Sequence, residues 1–217
     1  MNLPSGPRYR RYSELVGNDV GRLVAISDGI FAVGMTLLVL NLSVPALGSA
    51  GTESSLLRAL VKLVPAVLIY GMSFITLGIF WFGQGAQLGQ LARTDRNYTW
   101  INLGFLLAVT LVPFSTALLA RNATLRLALV EYWLNIVVMG FFLFAGLEYA
   151  RGRHLFHEAT ARDAVHLIRG RFWIAQALYA AATALSLVFP TWVSIGLIIL
   201  IQLNYVFAPR IPLLHRF

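Results

Sequence analysis

The 217-residue chain contains no cysteine, which excludes disulfide bonds and metal sites built from thiolates. Charged residues are also scarce: they make up 12% of the chain, about half of the share that is typical of a soluble domain. Hydrophobic residues make up 58%, so a soluble fold of this size would expose too much apolar surface to water. The composition therefore predicts an integral membrane protein built from α-helices.

Six stretches are apolar and long enough to cross a bilayer as helices, at about 20 residues each. They cover residues 24–44, 63–88, 98–119, 127–149, 172–189 and 192–208. Pro45 ends the first stretch, and Pro190 separates the last two by a tight hairpin. We expect one transmembrane domain over residues 1–217, all-α with six spans; a five-span arrangement with a re-entrant C-terminal segment stays open. The first stretch exceeds a signal-peptide core in length, so we expect it to be retained.

Basic residues are distributed unevenly over the predicted topology. The side that carries both termini and the second and fourth loops holds thirteen of the 17 Lys and Arg residues. An excess of Lys and Arg marks the cytoplasmic side of a membrane protein, so we expect both termini in the cytoplasm. The net charge of +8 follows from this topology and gives no reason to expect a nucleic-acid partner.

Short polar patterns elsewhere do not predict a catalytic or metal-binding site. His154 and His157 are three residues apart, but they do not form the HExxH pattern, and we expect them on a solvated cytoplasmic loop. The glycine-rich "GQGAQLG" at 83–89 follows an apolar helix where a dinucleotide-binding loop would follow a strand. Gly85 and Gly89 favour close helix packing instead. We expect neither enzyme activity nor a cofactor.

The first span combines one carboxylate with a narrow apolar stripe. Asp28 stands near its start, and a bare carboxylate in hydrocarbon is costly, so neighbouring groups must hold it. Val33, Leu37 and Leu40 follow at helical spacing on one stripe, with Thr36 at its edge. A stripe of this kind packs on another helix, contacts lipid or lines a pore. The spacing alone does not choose among the three.

Three motifs in the first 120 residues are specific enough to compare with known families. The first motif is "SDGIFAVGMTLLVLNLSVP", which begins with Ser27 and Asp28 and is preceded by Arg22. The second is "FWFGQGAQL" at 80–88, and the third is "WINLGFLLAVTLVPFSTALL" at 100–119. Together they resemble the transmembrane protein 175 family of potassium channels. The first helix of that family carries R-x-x-x-F-S-D, in which the chain has isoleucine in place of phenylalanine.

The resemblance implies an architecture that the composition and spacing do not give. Prokaryotic members of the family have six helices per chain and form homotetramers in the cell membrane, with the first helices around a central pore. The corresponding pore-lining positions are Val33, Leu37 and Leu40, with Thr36 beside them as a selectivity residue. We expect a leak-like pathway for K⁺, with modest selectivity over Na⁺, because narrow apolar rings impose a dewetting barrier on ions. Monovalent cations and membrane lipid are the expected partners.

By the same resemblance, a polar network docks the inner end of the first helix onto its neighbours. Its members here are Arg22, Ser27 and Asp28. The family commonly adds a histidine after the tryptophan of its second helix, and Gln84 or Gln87 takes that place in this chain. Two other hypotheses stay open: a small transporter or exporter, and a non-conducting membrane scaffold in which the stripe is buried.

Overall fold

The computed structural model describes residues 19–43, 45–46, 51–157 and 161–207, and within the last range it leaves out the side chains of residues 161–168 and 171. This part of the chain is helical and confirms the all-α prediction. Its six long helices are α1 (Val20–Leu38), α2 (Glu53–Leu88), α3 (Arg96–Arg121), α4 (Arg126–Gly152), α5 (Ala161–Ala184) and α6 (Thr191–Phe207). Short 3₁₀ turns, Val39–Asn41 and Leu185–Leu187, follow α1 and α5.

Polar side chains begin the first three helices where the apolar runs start. The Asp19 carboxylate accepts a hydrogen bond from the backbone N–H of Arg22 at the start of α1. The Asp95 carboxylate does the same for Tyr98 in α3. Thr52 and Ser55 bond reciprocally at the start of α2 as a capping box. Each of these caps satisfies backbone donors that have no partner within the helix.

Two helices begin ten or more residues before the apolar stretches that predicted them. α2 begins at Glu53, ten residues before the predicted span, and it runs through Pro65 without a break. Arg58 and Lys62 lower the hydropathy of this first part, so the apolar stretch was predicted to begin after them. The cap at Thr52 starts the helix before both residues. α5 covers Ala161–Ala184, so the polar residues 161–171 belong to the same helix as the fifth apolar stretch.

Four of the helices are long and apolar enough to cross a bilayer. These are α2, α3, α4 and α1 together with its 3₁₀ turn. Two apolar helical stretches are shorter: Phe172–Leu187, which covers the second part of α5 and its 3₁₀ turn, and Thr191–Phe207, which is α6. α1 packs on α2 and α3, while α4 packs on α3 and α5. This arrangement places α1 at one side of the bundle.

A hydroxyl and amide network connects four helices inside the bundle. The Gln202 side chain donates to the Thr76 hydroxyl over 2.7 Å, and that hydroxyl lies 3.0 Å from the Tyr132 hydroxyl. Ser73 lies 3.2 Å from the Tyr132 hydroxyl and accepts from Thr116. All five side chains are buried. Gln202 thus bridges α6 to α2, which is the ordinary role of a polar side chain inside an apolar helix.

The glycines that permit close helix packing differ from the predicted ones. A Cβ atom at Gly85 would meet nothing within 4 Å, and Gly89 caps the end of α2. In contrast, a Cβ at Gly104 of α3 would lie 2.5 Å from the Phe142 ring of α4. The prediction of packing through Gly85 and Gly89 was therefore wrong within the subunit, because the GxxxG spacing does not show whether a neighbour faces it.

Gly104→Ala is expected to destabilise the bundle by about 1–3 kcal/mol, as overpacking of a filled contact does. The Phe142 ring would have to leave its position between α3 and α4. Gly78→Ala is the matched control, since a Cβ there meets nothing within 4 Å. Thermal unfolding in detergent measures both variants. Equal melting temperatures for the two would contradict the packing described here.

Candidate functional site

α1 buries one face against its own subunit. The residues on this face follow one another at steps of three or four, as expected for a single helical face. They are Leu23, Ser27, Phe31, Gly34 and Leu38. Phe31 and Leu38 belong to an apolar cluster with side chains of α2, α3 and α4. This packing fixes the rotation of α1 about its axis.

The predicted stripe lies off the buried face. Val33 is 57% exposed, Leu37 43% and Leu40 74% in the single subunit. At 100° per residue, Val33 and Leu37 point about 100° away from the buried face. The Thr36 hydroxyl donates to the backbone carbonyl of Val33 over 2.9 Å, so its oxygen keeps lone pairs free to accept.

An apolar groove of about 370 Å³ runs beside this stripe, between α1 and α3. Its lining includes Val33 and Leu37 of the stripe, and the remaining lining residues are Ile26, Gly29, Ile30, Gly34 and Thr110. The stripe and the groove together form a continuous apolar surface on the outside of the single subunit. Surfaces of this kind mark contacts with other chains or with lipid.

Asp28 is held by the indole of Trp81. The Trp81 Nε1–H donates to the Asp28 carboxylate over 2.7 Å, which joins α1 to α2. Asp28 and Arg22 form no ion pair, although the structure describes both side chains. Arg22 lies exposed in the first turn of α1, six residues before Asp28. The structure thus brings Asp28 to α2 and does not bring Arg22 to it.

Ser27 and Gln84 meet in a buried amide and hydroxyl cluster with Asn102. The Gln84 amide nitrogen lies 3.1 Å from the Ser27 hydroxyl and donates to the Asn102 carbonyl oxygen over 2.7 Å. All three side chains are at least nine-tenths buried. Gln87 lies elsewhere, 3.3 Å from the Tyr98 hydroxyl. Of the two glutamines considered from the sequence, Gln84 is the one beside Ser27.

A contact at the other end of α1 was missed from the sequence. The Asn41 side chain donates to the backbone carbonyl of Pro113 in α3 over 3.0 Å. Asn41 ends the 3₁₀ turn that contains Leu40, so this hydrogen bond ties the turn to α3. An asparagine after an apolar run carries only a weak signal, namely that a polar side chain at this depth needs a partner.

A family model for the endosomal/lysosomal potassium channel TMEM175 matches residues 22–113, which contain the stripe and the Ser27 cluster. The chain is also 32% identical to a potassium channel of Streptomyces collinus, over 79% of this chain and 84% of the relative. The chain belongs to the TMEM175 family. The resemblance inferred from the motifs is thereby confirmed.

Other TMEM175 relatives extend the likeness to almost the whole chain. A potassium channel of Chamaesiphon minutus is 32% identical over 87% of this chain and 94% of the relative. A crystal structure described as a lysosomal potassium-selective channel TMEM175 homolog from the same organism superposes with a TM-score of 0.75 and 29% identity. It covers 88% of this chain and 98% of that one. The six-helix fold is therefore that of a TMEM175 channel.

Proposed function

We propose that this protein is a potassium-permeable cation channel in which four copies surround a pore lined by α1. The observation that carries the proposal is the exposed apolar stripe of Val33, Leu37 and Leu40 on a helix that buries a different face against its own subunit. Support comes from two relatives that the chain matches over 84% and 94% of their length, both of which are named potassium channels. Exposing apolar side chains to water is unfavourable. The same side chain from each of four subunits, placed around a common axis, can instead form a hydrophobic constriction.

The proposed pathway is leak-like and modestly selective for K⁺ over Na⁺. Apolar rings at Val33, Leu37 and Leu40 exclude water and so impose a dewetting barrier. K⁺ loses its hydration water at a lower cost than Na⁺ does, so the barrier is lower for K⁺. Thr36 can replace part of the lost hydration, because its proton is engaged with the Val33 carbonyl and its oxygen is free to accept a cation.

The docking contacts of α1 are proposed to hold the constrictions in place. Trp81 holds Asp28, and Gln84 and Asn102 surround Ser27, so the inner half of α1 is fixed to α2 and α3. Asp28 is then a structural group and does not coordinate the permeant ion. Arg22 is exposed in the single subunit, and we assign its part in docking to a contact with a neighbouring copy.

All six helices are proposed to cross a prokaryotic cell membrane as one domain, with both termini in the cytoplasm. Helices α1 to α4 have the length and composition for this. The 17 residues of α6 span about 26 Å at 1.5 Å per residue, close to the hydrocarbon thickness of about 30 Å. The excess of Lys and Arg on one side of the six-span topology supports the orientation.

Ion flux through purified protein in liposomes tests the proposal. K⁺ efflux down its gradient, faster than Na⁺ efflux and without a coupled ion, is the expected result. Flux that requires a counter-ion would indicate a transporter. No flux from correctly assembled protein would indicate a scaffold with the same fold. Empty liposomes provide the baseline.

A further inference from the structure

The segment after α4 turns back onto the bundle through a specific helix ending. His154 has φ 53°, in the left-handed region, where a side chain with a Cβ costs about 1–2 kcal/mol. The Leu155 N–H donates to the Ala150 carbonyl over 2.9 Å, and the His154 N–H donates to the Arg151 carbonyl over 3.3 Å. This pair of hydrogen bonds is the Schellman ending of a helix. It reverses the chain and directs Leu155 towards α4.

Backbone hydrogen bonds then join this segment to the loop between α2 and α3. Leu91 and Phe156 form an antiparallel bridge. The Ala92 N–H donates to the Leu155 carbonyl over 2.9 Å, and the His157 N–H donates to the Gln90 carbonyl over 3.0 Å. Two loops that are distant in sequence are therefore paired at the same end of the bundle as the start of α1.

The side chains of Leu155 and Phe156 complete the contact. Leu155 is 4% exposed and Phe156 8%, although both lie in a connection between helices. They belong to one buried cluster with Leu23 of α1 and with residues of α2, α3 and α4. Val20, in the first turn of α1, packs against the same cluster. The segment thus shares a packed core with the inner end of α1.

We infer that Leu155 and Phe156 are positioning residues for the pore helix: they hold the inner end of α1 and thereby set the width of the constrictions. The inference rests on the proposed function. Side chains in a core are closely packed and hold one another in place. Truncating one of them leaves space into which its neighbours can shift. Loss of Phe156 would free Leu23 and the first turns of α1. The rings further along α1 would then become wider and wetter.

The test compares Phe156→Ala with Ile195→Ala in the liposome flux assay. Ile195 is buried in α6, in a cluster with no residue of α1, so the two variants both lose core packing. Both are expected to lower the melting temperature. Phe156→Ala is expected to raise K⁺ flux at least threefold and to lower the K⁺/Na⁺ flux ratio, whereas Ile195→Ala leaves the ratio unchanged. Phe156→Leu, which retains an apolar side chain, is expected to restore wild-type behaviour.

Each result separates the inference from the proposed function. Wild-type protein that assembles but carries no K⁺ overturns the proposed function and the positioning role with it. A conducting wild type in which Phe156→Ala and Ile195→Ala have the same flux ratio overturns the positioning role alone. If Phe156→Ala does not assemble, Leu155→Val takes its place, with the same expected direction and the same criterion.

Discussion

Leu37→Asn is expected to raise K⁺ flux tenfold or more. Leu37 lies in the middle of the exposed stripe, and four asparagine side chains around the proposed axis would offer hydrogen bonds to water where leucine offers none. Water in the constriction lowers the dewetting barrier. A barrier lower by about 1.4 kcal/mol corresponds to a tenfold higher rate. Liposome flux at equal protein content measures the effect.

Leu107→Asn in α3 is the matched control for this change. Leu107 is an exposed apolar side chain in the single subunit, as Leu37 is, but it does not belong to the stripe. Flux through Leu107→Asn is expected to stay near the wild-type value. A Leu37→Asn protein that assembles normally and conducts as the wild type does would show that Leu37 lines no pore.

Gln84→Leu is expected to destabilise the protein by about 2–4 kcal/mol, since a buried polar group left without its partner costs about 1–3 kcal/mol. The Asn102 carbonyl oxygen would lose its donor, and Ser27 would lose a contact at 3.1 Å. The apolar leucine would fill the space without replacing either interaction. Melting temperature and the fraction of assembled protein on size exclusion both measure the loss.

Gln84→His distinguishes the hydrogen bonds from the volume of the side chain. Imidazole carries an N–H donor, and histidine is the residue expected after the tryptophan of the second helix from the family resemblance. This variant is expected to regain most of the stability that Gln84→Leu loses. Gln84→Leu with a wild-type melting temperature would mean that the Ser27 cluster does not hold α1.

The sequence predicted those features that depend on one element at a time. Helical spacing alone placed Val33 and Leu37 on one face, and the structure leaves that face exposed. The cost of a carboxylate at membrane depth predicted a partner for Asp28, and Trp81 is that partner. Periodicity does not identify what lies beside an exposed stripe, so the pore stays a proposal.

Features that depend on a partner distant in sequence were beyond prediction. Nothing in the local sequence around Asn41 indicates that it reaches Pro113, which is 72 positions away. The segment around His154 reads as a polar loop, but its helix ending buries Leu155 against the bundle. Arg22 is a different case: the family resemblance places it in the docking network of α1, and the single subunit leaves its side chain exposed. In each case tertiary geometry decided the contact.

Block of K⁺ flux by Ag⁺ at a single introduced cysteine tests most directly whether α1 lines the pathway. The chain has no cysteine of its own, so each variant carries one thiol and no background. Ag⁺ is close to K⁺ in size and binds thiolates tightly. We predict that Ag⁺ blocks flux through Leu37→Cys and leaves flux through Leu111→Cys, which is similarly exposed on α3, unchanged. Block at position 111 without block at position 37 would contradict a pore formed by α1.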